Sequence, residues 1–363
     1  VLTRIFADNF RALVNFELRP ETLTLLLGAN GSGKSSVFQV LGVLSDIIVR
    51  GNPIGSYLRY SCTTWDTREV QTFELDFKGP DGALYRYVLT VRHPAGRMGE
   101  PAIETEKVEY NGAALFEFSN GQVHLFNDEH VEGPVFPFLG ERSFLSNLTS
   151  PGFKLGWFLE FVRGITILQM NPFEFGLMHE REDSFLNREG RNFSAFWDHL
   201  GSELPDIREQ CVAQLRVVMP GFQNFRLVRA GNQKQLVFDF KVDGLSYSLP
   251  AATLSEGQRT LSTLYAALWG LVGRRSLVCF DEPDNFVGLS EIQPWLQSMR
   301  DRLDSSTGGQ VMIISHHPEV IDYLAVDSAF RFERSAGNVI ARPLESLDSL
   351  SELKLSEIIA RGG

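Results

Sequence analysis

The chain has 363 residues, enough for one large domain or two ordinary ones, with 43% hydrophobic and 22% charged residues; that balance excludes a disordered or fibrous protein. A net charge of −11 disfavours a sequence-reading DNA binder, although a local basic groove formed on dimerisation stays open. Cys62, Cys211 and Cys279 show neither metal-ligand nor redox spacing, the N-terminus lacks a signal pattern, and no apolar run reaches the roughly 18 residues of a membrane span, so a soluble cytoplasmic protein is expected. The 28 phenylalanines against eight tyrosines are expected mostly in the core.

In chain order, Leu2–Asp8 and Leu23–Leu27 read as strands, the second a short apolar run ending at glycine, as in a strand buried on both faces. Val37, Val40, Leu41, Leu44 and Ile48 recur at helical spacing and predict a helix from Lys34 to about Ile48. Between them, Gly28-Ala29-Asn30-Gly31-Ser32-Gly33-Lys34-Ser35 matches G-x-x-x-x-G-K-[ST]. Its glycines let successive backbone N–H groups of Asn30, Gly31, Ser32 and Gly33 converge on phosphate oxygens, with the helix N-terminus through Ser36 adding its positive end. Lys34 is placed to neutralise the β- and γ-phosphates of ATP and Ser35 to offer its hydroxyl to Mg²⁺. By itself this loop supports only nucleotide binding.

Alternation at Phe73, Leu75, Phe77 and again at Tyr85, Tyr87, Leu89, Val91 predicts antiparallel strands over 68–126. Residues 142–218 read as mainly helical with a break at Met170-Asn171-Pro172, and a second hairpin spans Phe225–Leu249. Helix and strand then alternate: Leu261–Val272, Ser276–Phe280, Ile292–Leu303, Gln310–Ser315 and Pro318–Leu324, which indicates an α/β sheet. A polar helix and a frayed end are expected over Leu347–Gly363.

Three further motifs carry chemistry. The apolar strand Leu277–Phe280 ends in Asp281-Glu282-Pro283, where one acid suits Mg²⁺ and the other a general base that orients water. Leu254-Ser255-Glu256-Gly257-Gln258 leads into a helix and makes a second anion site, at Ser255, Gly257 and Gln258. Ser315-His316-His317-Pro318 closes a strand with a histidine.

In this order the motifs resemble those of ABC ATPases. The resemblance implies that Leu254–Gln258 is the signature, that it closes over the nucleotide held by the P-loop of a second copy, and that His316 touches the γ-phosphate. Gly28 and Leu254 lie 226 positions apart, far more than in a minimal transporter domain, and a transporter subunit is the least favoured reading. Asp8-Asn9-Phe10-Arg11 is similar to an N-terminal element of RecF-like and SMC-like ATPases, which makes Arg11 a nucleotide-side candidate. For the glutamine that senses γ-phosphate and metal, Gln71 is preferred and Gln169 is the competitor. The chain is most similar to the overcoming-lysogenization-defect-like group, but it lacks sustained heptads and stops 47 residues after His316, before any TOPRIM nuclease. Ser290 stands where that family has histidine, while Asp284 and Asn285 suit its D-loop.

The expected fold is an α/β ABC-ATPase head with a mixed-sheet core (1–67 and 251–346), an antiparallel β subdomain (68–141), a helical signature lobe with hairpin (142–250) and a tail (347–363). The resemblance implies an ATP-driven dimeric switch, Glu282, His316 and Lys34 doing the catalysis, that works with a separate nuclease or toxin in phage defence or genome maintenance. A RecF-like clamp on duplex DNA and a non-hydrolysing scaffold assembled by ATP are the alternatives.

Overall fold

The computed structural model describes residues 1–149, 151–305, 309–324 and 328–344. The tail expected to be helical, Leu347–Gly363, lies outside the described residues. Two compact units divide the chain, Val1–Ile165 with Asp327–Ser346, and Thr166–Val326.

The first unit is dominated by an antiparallel sheet of eight strands in the order β2-β1-β4-β5-β6-β7-β8-β9. In chain order they are β1 (Leu2–Asp8), β2 (Phe16–Leu18), β4 (Val70–Lys78), β5 (Leu84–Arg92), β6 (Ala102–Tyr110), β7 (Ala113–Ser119), β8 (Gln122–Leu125) and β9 (Phe136–Pro137), with β3 (Leu23–Leu27) set apart. The expected alternation is present, because Phe73, Leu75 and Phe77 face the core together with Tyr85, Tyr87, Leu89 and Val91. The sheet is wider than the sequence suggested: β1 pairs with β4 in register Ile5↔Leu75 and so joins the antiparallel strands. Helix α3 (Phe153–Arg163) covers this sheet, with Phe158 and Phe161 edge-on to Phe77.

Two strands not anticipated, β17 (Ala329–Ser335) and β18 (Asn338–Pro343), also belong to this unit. β17 runs parallel to β3 with Phe330 opposite Leu26, and β18 returns antiparallel beside it. Helix α1 (Lys34–Ser45) follows β3 across the Gly-rich loop, and the expected helix to Ile48 continues past Ser45 as a π-turn, Asp46–Arg50. A one-turn helix α2 (Gly55–Leu58) comes next.

The second unit holds a parallel pair, β15 (Leu277–Asp281) and β16 (Val311–Ile314), both buried along their length, with β10 (Ile165–Leu168) beside β15. Burial on both faces explains why these strands are apolar without alternation. Helices α6 (Glu256–Gly270), α7 (Leu289–Ser305) and α8 (Pro318–Leu324) match the expected pattern. A smaller antiparallel sheet contains β11 (Met178–His179), β12 (Phe222–Ala230), β13 (Gln233–Val242) and β14 (Leu245–Pro250). Its inner face joins Phe222, Phe225 and Phe238 to Phe193 and Trp197 of α4 (Phe193–Glu203), and α5 (Pro205–Val218) follows directly.

The expectation of a mainly helical stretch over 142–218 holds for α3, α4 and α5 but not for residues 164–192. There β10 and β11 are joined by turns; the break expected at Met170-Asn171-Pro172 is present, but the strands on either side of it and the tight turn at Gly176 are not helix. A Cβ at Gly176 would stand 2.2 Å from the carbonyl oxygen of Arg191, so the chain is folded back tightly there.

Candidate functional site

The phosphate loop is shaped by the strands that crowd it. Gly28 has φ +139°, and a Cβ there would meet the Phe332 carbonyl oxygen of β17 at 2.4 Å. Gly33 has φ +103° and faces Val339 of β18, whose methyl would lie 2.5 Å from an added Cβ. The strands that the sequence did not reveal thus make these glycines obligatory.

At the exposed tip, Ala29, Asn30 and Gly31 face open space. Lys34 is 5% exposed and lays its ammonium on the Gly28 and Ala29 carbonyls at 2.6 and 3.0 Å, with Ser32 Oγ at 3.5 Å. Helix α1 starts at Gly33 with no side-chain cap and no acidic residue in its first turn, which carries Ser35 and Ser36. An uncapped positive helix end behind a glycine loop with a lysine charge at its base fits the polyphosphate of a nucleotide.

The Asp8–Arg11 element is mostly a clasp. Asn9 is fully buried and donates to the Arg68 and Val70 carbonyls at 2.9 and 2.8 Å, while its own Oδ1 accepts from Thr63 N–H at 3.1 Å. Asp8 is paired with the Arg68 guanidinium at 2.6 Å. Arg11 is exposed, with φ +53° and its guanidinium 5.9 Å from the Phe10 ring.

Gln71 lies at the head of β4, as expected, with its side chain turned inward. It is fully buried; its Nε2 donates to the Asn9 carbonyl at 2.8 Å and to Ser61 Oγ at 3.1 Å, and its Oε1 lies 2.8 Å from His93 Nε2. Nε2 thus ties β4 to the Asn9 turn and Oε1 faces His93, so both ends of the amide take part in a buried network. The inward direction follows the alternation, since Gln71 shares a face with Phe73, Leu75 and Phe77.

The acids of the second unit stand at the ends of its parallel strands, where α/β sheets bind ligands. Asp281 closes β15 opposite Ile314 of β16 and is 2% exposed. Glu282 follows with φ +52°, its N–H donating to the Ile314 carbonyl at 2.8 Å. A left-handed glutamate costs on the order of 1–2 kcal/mol, and it turns the carboxylate away from the strand. One carboxylate oxygen accepts from Asn285 Nδ2 at 2.9 Å, and the other lies 3.7 Å from His316 Nε2, beyond hydrogen-bond range but within that of a charge interaction. His317 N–H donates to Ser315 Oγ at 3.0 Å. Asp284 is held above the usual carboxylate range by burial, opposed by a hydrogen bond from Ser315.

Ser255 is the N-cap of α6. Its Oγ accepts from Gln258 N–H at 3.3 Å, and the Gln258 side chain accepts from Ser255 N–H at 3.1 Å, a complete capping box. A hydroxyl that accepts one bond still has its O–H to donate, which an aspartate cap would lack. An added Cβ at Gly257 would lie 2.9 Å from the Phe286 carbonyl oxygen, so the turn after the acids passes directly over the signature glycine. Phe286 is exposed, at φ +71°, edge-on to the exposed Phe173.

Two arginines went unread in the sequence. Arg259 donates to the Pro172 and Ala252 carbonyls at 3.0 and 2.7 Å and ties α6 to the segment after β10. Arg188 donates to Gln169 Oε1 at 2.8 Å and stands 3.9 Å from Asp281 Oδ2. Gln169 is exposed at the end of β10 and is linked to Asp281 through one guanidinium. The signal available for it was a glutamine directly following a strand that neighbours the Asp-Glu strand.

The motif residues thus fall into two sets: Asn30–Ser36, Arg11 and Gln71 in the first unit, and Ser255, Gly257, Gln258, Asp281, Glu282 and His316 in the second. Among the described residues no helix is long and apolar enough to cross a membrane, and no three His, Cys, Asp or Glu side chains cluster as a metal site.

Residues 23–322 match the family model described as "AAA domain, putative AbiEii toxin, Type IV TA system". A search of the curated proteins gives no match. Among solved structures, the chain is similar to an SMC head bound to the C-terminal winged-helix domain of ScpA, at 14% identity and TM-score 0.59, covering 96% of this chain and 98% of that one. It is also similar to the SMC head with extended coiled coil bound to the C-terminal domain of ScpA from Pyrococcus furiosus, at 12% identity and TM-score 0.56, covering 99% and 98%. The expected fold, an ABC-ATPase head of the SMC and RecF type, is the observed one.

Proposed function

Since the chain belongs to this AAA-domain family and has the fold of an SMC head, we propose that it is a cytoplasmic ATP-hydrolysing switch whose nucleotide sites are shared between two copies. The observation that carries this reading is the presence of two helix N-termini, at Gly33 and Ser255, each prepared for a phosphate. One nucleotide per chain needs only one of them, so the second serves the nucleotide of another copy.

In this reading the backbone of Asn30–Gly33 and the ammonium of Lys34 hold the ATP phosphates, Arg11 lies on the nucleotide side, and Ser35 and Ser36 begin the helix behind them. Ser255 donates its O–H to the partner copy's γ-phosphate, and Gly257 and Gln258 present α6 to it. A hydroxyl at Ser35, a carboxylate at Asp281 and an amide oxygen at Gln169 are hard oxygen donors suited to Mg²⁺. When bound, that ion withdraws charge from the γ-phosphate. Glu282, fixed by Asn285, orients the attacking water, and His316 beside it senses the γ-phosphate. Gln169 takes the sensor role first assigned to Gln71, which is buried in its own network.

The family description names a toxin–antitoxin system, and with the net charge of −11 this favours a defence role over a DNA clamp; as its effector we propose a separate toxin or nuclease. Comparing wild type with Glu282→Gln tests the chemistry. Turnover is expected to fall on the order of 10²-fold or more while ATP-dependent dimer accumulates in light scattering. If neither protein hydrolyses ATP, the chain is a scaffold.

A further inference from the structure

Arg188 occupies a position that the proposed chemistry leaves unexplained. Its segment is pinned to the end of β10 by backbone bonds from Gln169 N–H to the Arg188 carbonyl at 2.8 Å and from Asn171 N–H to the Glu189 carbonyl at 3.2 Å. From there the guanidinium bridges Gln169 Oε1 at 2.8 Å and Asp281 Oδ2 at 3.9 Å, two of the oxygens to which the reading above gives the metal. The same guanidinium buries its Nε without a hydrogen-bond partner, so it is not fully satisfied where it stands and can leave. Its side chain is 37% exposed, which gives it a route outward.

We propose that Arg188 is a built-in stand-in for the divalent cation: its positive charge sits between Gln169 and Asp281, keeps metal out of the nucleotide-free protein, and is displaced when metal enters with nucleotide. The same side chain links the two positions, so displacement from Asp281 frees Gln169 at the same moment. A lysine would preserve the charge with a single point donor, whereas a methionine would keep the bulk and remove the charge. The inference rests on Asp281 being the metal-side carboxylate.

The test is direct titration of Mn²⁺ into nucleotide-free protein, reading free Mn²⁺ by electron paramagnetic resonance. Arg188→Met is expected to bind Mn²⁺ about tenfold more tightly than wild type, the scale of removing one charge about 4 Å away in a partly solvated site. Arg188→Lys should stay close to wild type, which a purely structural role would not require. Adding Asp281→Asn to Arg188→Met should abolish the gained site. If Arg188→Met is misfolded by circular dichroism, Arg188→Gln takes its place with the same expectation. Equal Mn²⁺ affinity in wild type and the neutral variants, or a gained site that survives Asp281→Asn, overturns the proposal. Mn²⁺ binding in the presence of ATP separates the two readings: if Asp281→Asn weakens it while the neutral variants gain nothing, only the role of Arg188 falls. If Asp281→Asn leaves it unchanged, the assignment of Asp281 falls and takes the proposal with it.

Discussion

The two units prepare their helix N-termini by opposite means. In the first, α1 has a glycine at its cap, no side chain on its end, and a loop held in shape by the backbone and methyl groups of β17 and β18. In the second, α6 is closed by a reciprocal Ser255–Gln258 box and presents a hydroxyl. An open end suits amides that wrap a phosphate kept by their own chain. A capped end is stable alone and can wait for a phosphate delivered by another copy. The two glutamines differ as well: Gln71 of the first unit is buried in its own network, and Gln169 of the second is exposed.

The pair of glutamines breaks or sharpens this contrast with the largest effects. Gln71→Ala leaves the Asn9 carbonyl, Ser61 and His93 without their buried partner, at about 1–3 kcal/mol for such a group. Thermal melts should show that loss, while turnover measured well below the melting point changes little. Gln169→Ala should move stability by no more than about 0.5 kcal/mol, as at other exposed positions, and lower turnover by about tenfold. If the two variants exchange these behaviours, Gln71 is the sensor after all.

An effect confined to one pH range concerns Glu106, fully buried in the sheet of the first unit. Burial pushes its carboxyl up to about 7 from an ordinary value of 4.5, against the hydrogen bonds that Ser143 and Tyr87 donate to it at 2.8 and 2.9 Å. Because the folded-state value is raised, this contribution is fully present below pH 4.5, is lost as pH rises through 7, and is flat above. The loss is on the order of 3 kcal/mol. Urea midpoints of Glu106→Gln should match wild type near pH 5 and exceed it at pH 8. Parallel curves for the two proteins across that range would show that the carboxyl is not neutral inside the sheet.

The placement of the motif residues was legible because each motif prescribes residue types at fixed places: glycines that turn before a helix, an acid pair after a buried strand, a serine at a helix start. The strands of the first unit were legible where one face is buried, as at Phe73–Phe77. What escaped was whatever depends on contacts distant in sequence. β17 and β18 follow the last recognisable motif and bury few of their positions, yet they make Gly28 and Gly33 obligatory. Within 164–192 the break at Asn171-Pro172 was legible, but the short strands β10 and β11 and the tight turn at Gly176 were not. Gln71 falls on the inward face with Phe73, Leu75 and Phe77, as alternation implies, whereas Gln169 stands exposed just beyond β10, a strand that the helical reading of 142–218 hid. Arg188 carried no motif at all.

The central claim is that each nucleotide site draws on two copies of the chain, and mixing two inactive variants tests it most directly. Lys34→Ala removes the phosphate lysine, and Ser255→Arg blocks the signature end. Purified separately, both should hydrolyse no ATP above background. If sites are shared, a mixed dimer combines both defects in one site and leaves the other intact, so mixing should restore turnover well above that of either variant alone. Mixed samples that form heterodimers yet remain inactive would contradict the account.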